Sequence, residues 1–594
     1  MANKPLIIGG ASGFWGEAPH ATGQLLTHPG LQYLVYDYLA EITMSIMARA
    51  RLKDPSLGFA NDFVSDAIAP HIGALSDRGV KVLSNAGGVN PAACADALRA
   101  AIDKAGVDLK IAVVEGDDLM DRAEMFAESR EMFTGVPFPA AKSVASVNAY
   151  LGALPVVAAL DAGADIVITG RCADSALALA ACMHHFGWSP DDHDLLAAGS
   201  LAGHLLECGP QATGGNFTDW EQSGDLADIG YPIAEVEADG TFDIVKPAAT
   251  TGIVSPGSVG EQMLYEIGDP QGYVLPDVIC DFSEVTLTQT AADRVHVAGV
   301  KGRPPTGRLK VSATHMDGYR AGQVLQFNGR NAREKAVAFV NAALKRTRGT
   351  LERLGAPDFA ETSVELFGGV PKNGRTEEIS VKAAVRHADA RAVGLFLKEM
   401  TGTALATPPG LHFFTGAGRP RPSPVVRLFS FLIDADKVPV SIHLDGRDIA
   451  SDVAIPARRE DNAPARPAIS ISEDVNEPVS CRLEDLAFAR SGDKGDDANI
   501  GVIARQPEFL PWIWRALDEE TIAATFAPNL KGGVERFFLP GIHAMNILMH
   551  NALGGGGVAS LRNDAQAKAF AQTLLALPVE LPAALADRIA KEDH

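Results

Sequence analysis

Positive charge is scarce in this 594-residue chain: 52 lysines and arginines against 74 aspartates and glutamates leave a net charge of −22 and a pI near 5.1. Nucleic-acid and anionic-lipid binding both need a basic face, so neither nucleic acid nor membrane is expected as a partner. Cysteine is sparse. The six residues Cys94, Cys172, Cys182, Cys208, Cys280 and Cys481 form no C-x-x-C pair, which excludes zinc-ligand spacing and a disulfide framework and fits a reduced, cytoplasmic protein. No run of about 18 apolar residues is present, so no membrane span is expected. The apolar stretch Leu6 to Ile8 is too short for a signal peptide. Nucleotide fingerprints are missing too: Ile8 stands where the first glycine of G-x-G-x-x-G belongs, and no Lys-Ser/Thr follows Gly16. Neither a serine-hydrolase elbow nor H-E-x-x-H occurs, no cofactor is implied, and a need for magnesium is left open. His184, His185, Asp191, Asp192 and His193 are metal-ligand types. Neighbours on a helix point apart, however, and Trp188-Ser-Pro interrupts them, so no metal site is assigned.

What remains is an ordinary globular composition, 46% apolar with a mean hydropathy of +0.05. The length exceeds the roughly 250–300 residues of a single core, so more than one folding unit is expected. The first 190 or so residues alternate short β-branched runs with helical patterns, the signature of βαβ units and a parallel sheet. Strands are expected at Pro5 to Ile8, Val80 to Leu83, Lys110 to Val114 and Asp165 to Thr169, and helices over Leu31 to Leu52, Pro91 to Lys104, Leu119 to Glu131 and Ser175 to Phe186. Residues 191–330 read as an irregular β-containing region and 331–456 as an α+β region, completing a large domain over 1–456. The polar, proline-containing stretch 457–478 reads as a linker, and 479–594 as a small α+β domain.

Each early strand runs into a loop, and in an open parallel sheet such loops gather at the carboxyl edge, where ligand crevices form. The glycines of the first loop, Gly9, Gly10 and Gly13 with Ser12, let backbone amides approach an anion or simply turn the chain. Asn85, Gly87 and Gly88 form the second loop, with Asn90 as N-cap before Pro91. Glu115, Asp117 and Asp118 crowd one turn, suiting acid–base work, a divalent ion held through oxygen, or a solvated turn in which Asp118 caps the helix from Leu119. In Gly-Arg-Cys-Ala-Asp-Ser, Arg171 and Ser175 are placed to hold a carboxylate or phosphate at a helix start. Asp174 reads as N-cap or as acid–base group, and Cys172 as a buried small residue rather than a nucleophile. His204, Glu207 and Cys208 share a helix face and read as packing. In the last domain Ser491-Gly-Asp-Lys-Gly-Asp-Asp sets Asp493 and Lys494 among acids, either as a local ion pair or as substrate contacts.

The segments Ile7-Ile-Gly-Gly-Ala-Ser-Gly-Phe-Trp-Gly16, Asp37-Tyr-Leu-Ala-Glu41, Asn85-Ala-Gly-Gly-Val-Asn90-Pro and Thr169-Gly-Arg-Cys-Ala-Asp-Ser175 resemble the AtuA family of acyclic terpene utilisation. Ala489-Arg-Ser-Gly-Asp-Lys-Gly-Asp-Asp-Ala-Asn-Ile-Gly501 resembles the ferredoxin-like domain that comes after the main domain in that family. The resemblance implies an α/β fold with a mostly parallel sheet, then a ferredoxin-like α+β domain, and a part in breaking down branched or terpenoid acids as CoA thioesters. It carries no assigned catalytic residues. The reaction expected is that of a lyase or hydratase on an acyl-CoA or hydroxy acid, with Glu115, Asp117, Asp174 and Lys494 as chemical groups and a homo-oligomer as the working form. The alternative is a non-catalytic acyl-CoA-binding or assembly subunit.

Overall fold

The computed structural model describes residues 4–17, 19–369, 377–413, 420–449, 463–471 and 478–592. Most of the expected linker at 457–478 therefore lies outside the described residues. The fold is mixed α/β. Its largest sheet is built around five parallel strands, β1 (Leu6–Gly10), β2 (Tyr33–Tyr36), β3 (Lys81–Ser84), β4 (Ile111–Glu115) and β6 (Ile166–Thr169), in the order β1-β2-β3-β6-β4. A further strand, β5 (Val144–Ala149), pairs with Arg308–Asn328 in another sheet. Beside β1 the main sheet continues antiparallel through β7 (Ile233–Val236), β8 (Phe242–Val245), Arg294–Ala298 and Thr286–Ala291; beside β4 it continues through Ser441–Leu444 and Arg447–Asp448.

Alternation of side chains sorts the parallel strands into two cores, one on each face of the sheet. Leu6, Ile8, Tyr33, Val35, Leu83, Ala112, Val114 and Val167 enter one, and Leu34, Tyr36, Val82, Ile111, Ile166 and Ile168 the other. Tyr-Leu-Val-Tyr of β2 is buried throughout. That is why the helix expected over Leu31 to Leu52 forms only from Glu41 to Lys53: an aromatic, β-branched run between two parallel neighbours is worth more as a strand. The stretch expected as a helix from Leu119 is a 3₁₀ segment, Met120–Phe126, of which only Ala123 is buried, so no apolar stripe sustains an α-helix. Asn90 stands before Pro91 as expected, but its amide donates to the carbonyls of Pro55 and Leu57 at 2.9 and 2.8 Å and does not cap the helix.

By packing, the described chain forms two compact units. The first combines residues up to Thr314 with Phe429–Ala552 and the C-terminal segment from Ala567. Within it, strands Ala487–Lys494, Asp497–Ala504, Ala544–Met549 and Val534–Leu539 form an antiparallel sheet in that order, with helices beside it. Buried asparagines tie this sheet to the segment before it: Asn499 donates to the Leu264 carbonyl at 2.7 Å, and Asn546 to the Ile267 carbonyl at 2.8 Å. The second unit, His315–Leu428 with Leu553–Gln566, packs helices Ala332–Arg353 and Ala390–Gly402 on a sheet that includes Glu361–Gly368 and Glu378–His387.

Gly10 marks a close approach: a Cβ there would lie 2.4 Å from the Leu206 carbonyl oxygen, where backbone must move. Gly10→Ala is expected to destabilise the protein by about 1–3 kcal/mol. Gly73→Ala, in a helix with open space around it, is expected to stabilise by about 0.5–1 kcal/mol. Thermal unfolding of the two variants checks both.

Candidate functional site

The loops leaving β1, β2, β3, β4 and β6 converge at the carboxyl edge of the sheet, and Arg171 lies at their centre. Only 4% of this residue is exposed. Its Nη1 donates to the Leu39 carbonyl at 2.6 Å and to Asp174 Oδ1 at 2.8 Å, and its guanidinium stands 4.2 Å from the centre of the Tyr150 ring. Lys310 approaches the same ring at 4.7 Å. The Tyr150 hydroxyl donates to Glu41 Oε1 at 2.5 Å, and Lys310 Nζ to the same oxygen at 3.3 Å. Burial pushes Glu41 up, but Lys310 and Arg171 outweigh it and hold its carboxyl well below the usual range.

Two other carboxyls move the opposite way. Burial, then the charge of Asp174, lift Asp37 well above the ordinary range despite Arg171 and the Asn85 amide that donates to its Oδ1. Asn85 Oδ1 in turn accepts from the Tyr38 amide at 2.8 Å, and the Ser12 hydroxyl donates to the Asp37 carbonyl at 3.0 Å, joining the β1, β2 and β3 loops. Asp117 Oδ2 accepts from the Arg171 backbone N–H at 2.8 Å and from Asn148 Nδ2 at 2.9 Å, yet burial pushes this carboxyl up to about 7. Gly170 makes the approach possible, since a Cβ there would fall 2.2 Å from Asp117 Oδ1.

The end of helix His193–Leu206 supplies a second group of polar side chains. Buried His204 holds Glu207 Oε1 through Nδ1 at 3.0 Å, while its Nε2 has no partner among the described residues. Burial raises Glu207; His204 is itself raised, because the attraction of Glu207 outweighs the burial of the ring. The Tyr273 ring lies 5.8 Å from that of His204, and Lys494 Nζ lies 5.3 Å from the Tyr273 ring. Lys494 ends a strand at a hairpin, paired with Asp497, and the neighbouring Asp493 lies 3.6 Å from Lys568. Burial, then Glu266, push Asp493 up to about 6.

The structure thus brings Asp117, Asp174, Arg171, Asn85 and Ser12 together, with Lys494 and Asp493 reaching the Tyr273 and Lys568 side. Glu115 is apart: it ends β4, opposite Ser441, with its carboxylate 3.5 Å from His443. Asp174 does not cap the helix after it; Ser175, buried, holds the cap position without a side-chain bond, and the Asp174 carboxylate turns to Arg171 instead. Two amides of the first loop already donate to carboxylates of the chain, Gly13 N–H to Glu17 and Gly16 N–H to Asp62. Gly9 fits against Leu25 and Leu34, Gly13 against the Cys208 backbone, Gly87 against the Thr169 carbonyl and Gly88 against Met47. Cys172 is buried with its thiol pushed up to about 12, which makes it inert. Asp37, Glu41, Tyr150 and Lys310 were assigned no role from the sequence, and His204 with Glu207 was read as packing. Asp37 and Glu41 bound a segment that carries the family resemblance, and His204 and Glu207 share the i, i+3 spacing; nothing local marked Tyr150 or Lys310.

Because Asp117 is raised from about 4 toward about 7, the folded state holds its proton more tightly than the unfolded one. Its contribution is fully present at low pH and is lost as pH rises through that window, by at most roughly 1.4 kcal/mol per unit. Asp117→Asn keeps an acceptor and removes the titration, so its unfolding midpoint relative to wild type is expected to rise between pH 5 and pH 8. Thermal melts at the two pH values measure this, and a constant difference would contradict it.

Residues 6–444 match the family described as acyclic terpene utilisation family protein AtuA, and residues 481–580 match the AtuA ferredoxin-like domain. No curated protein and no solved structure matches the chain. The two matches span most of the sequence, in the order of the large sheet domain and the small antiparallel one, and the chain belongs to the acyclic terpene utilisation family AtuA.

Proposed function

We propose that this protein is a lyase or hydratase of branched-chain or acyclic terpenoid acid breakdown, acting on an acyl-CoA or a hydroxy acid. Family membership supports the setting in terpene utilisation. The observation that carries the chemistry is the set of titratable groups around one buried cation: Asp37 and Asp117 are raised beside Arg171, and His204 and Glu207, both raised, are hydrogen-bonded at the neighbouring helix end. Adding or removing water across a carbon–carbon bond takes one group that accepts a proton and one that gives it near neutral pH, and Asp117, pushed up to about 7, suits that task. Arg171 and Lys310 supply positive charge for an enolate or carboxylate. In this reading Asp174 orients Arg171, Lys494 lies on the Tyr273 side of the site, and Glu115 has no part. Six unpaired cysteines fit a reducing cytoplasm, and among the described residues no helix is long and apolar enough to cross a membrane.

Purified protein is expected to melt several degrees higher with a branched acyl-CoA at about 100 times its Kd, equivalent to about 2.7 kcal/mol. His204→Asn is expected to keep that shift while turnover of the same thioester falls by about 100-fold or more. A folded protein that shifts with no thioester and no free acid would contradict the reading and favour an assembly subunit.

A further inference from the structure

Eight non-glycine residues among the described ones have a left-handed backbone, and six of them are Asn, Asp or His, the types that tolerate it. The other two, Glu266 at φ +58° and Ala567 at φ +56°, are strained. They are far apart in sequence yet come together in the fold: Glu266 lies 3.4 Å from Nζ of Lys568, the residue after Ala567. Glu266 is unfavourable on two further counts. It stands just past the helix Pro256–Leu264, where a carboxylate opposes the helix dipole, and burial and its charge together raise the neighbouring Asp493.

Four residues of the stretch from Ser491 to Asn499 hold this arrangement. Ser491 Oγ donates to the Ala567 carbonyl at 2.5 Å and accepts from the Ala571 N–H at 2.9 Å, fixing the turn before Lys568. A Cβ at Gly492 would fall 2.8 Å from Glu266 Cγ and 2.6 Å from the Tyr265 ring, so a glycine is needed for the strand to lie against them. Asp493 lies 3.6 Å from Lys568 Nζ, which also donates to the Tyr265 hydroxyl. Asn499 Oδ1 accepts from the Glu266 N–H at 3.0 Å while its amide donates to the Leu264 carbonyl. The side chains of Glu266 and Lys568 stay 37% and 43% exposed, so a ligand can reach both. An ion pair this exposed adds little stability, less than two strained residues cost, and stability therefore does not account for it. We infer that Glu266 is a positioning residue of the candidate site, setting the Lys568 ammonium as the cation that takes an anionic oxygen of the ligand, from a phosphate of CoA or from a carboxylate. The ligand class rests on the function proposed above, and the inference adds Glu266 and Lys568 to its site.

Thermal melts of the full-length protein need no ligand and come first. Glu266→Gly removes the strain and the misplaced charge, and is expected to melt about 1–3 °C above wild type. Calorimetric titration with 3-methylbutanoyl-CoA and with 3-hydroxy-3-methylbutanoate follows. Lys568→Met is expected to weaken one of the two by about 10-fold or more, the thioester if the anion is a phosphate and the free acid if it is a carboxylate. Glu266→Gly is expected to weaken the same ligand, and the double variant to bind no more weakly than Lys568→Met alone, because Glu266 acts through Lys568. A Glu266→Gly protein that melts below wild type, one that melts higher but binds as wild type does, or losses that add in the double variant would overturn the inference while leaving the acyl-CoA reading intact. Binding of neither ligand to the folded wild type would overturn the function proposed above and, with it, the role given to Lys568.

Discussion

The carboxyl edge of the parallel sheet is organised by one desolvated positive charge. Taking a guanidinium out of water is costly unless its hydrogen bonds and counter-charge are supplied locally, and here they come from different loops: the Leu39 carbonyl after β2, Asp174 after β6 and the face of Tyr150 after β5. The same charge decides which nearby acids ionise. Glu41, beside Lys310 and within the field of Arg171, is held ionised, whereas Asp37 and Asp117, lacking a cation of their own, are raised. A fixed cation among acids whose proton affinities are pushed in opposite directions is an arrangement suited to proton transfer.

Close backbone contacts make this gathering possible. Gly10 lets β1 meet the end of the helix that carries His204, and Gly170 lets the β6 loop lie on Asp117. A side chain at either position would separate groups that the site needs within hydrogen-bond reach. The small antiparallel sheet takes part in the same compact unit, held by Asn499 and Asn546 to the segment 264–268, so that Lys494 comes to rest near Tyr273.

The parallel core was legible because its strands are short, apolar and each followed by a glycine or acidic loop; β1, β3, β4 and β6 fall where the sequence pattern puts them. The strand β2 was not, since Tyr-Leu-Val-Tyr leading into a helical stretch satisfies either period until its two neighbours are known. Arg171, Asp117 and Asn85 could be found because loops at strand ends share one edge. Lys310 could not: it lies far along the chain, in a strand pairing with β5, and nothing local marks it. His204 and Glu207 had a local signal, the i, i+3 spacing, but packing and pairing share that signal, and only burial with an unpartnered Nε2 separates them.

If Arg171 is the charge on which the edge depends, removing it must leave Asp174 uncompensated, and removing both must cost less than the two losses added. Thermal unfolding of Arg171→Met, Asp174→Asn and the double variant tests this. Arg171→Met is expected to lower the midpoint by about 5 °C or more, with the double variant recovering part of the loss. An Arg171→Met protein as stable as wild type, or strictly additive losses in the double variant, would contradict the account.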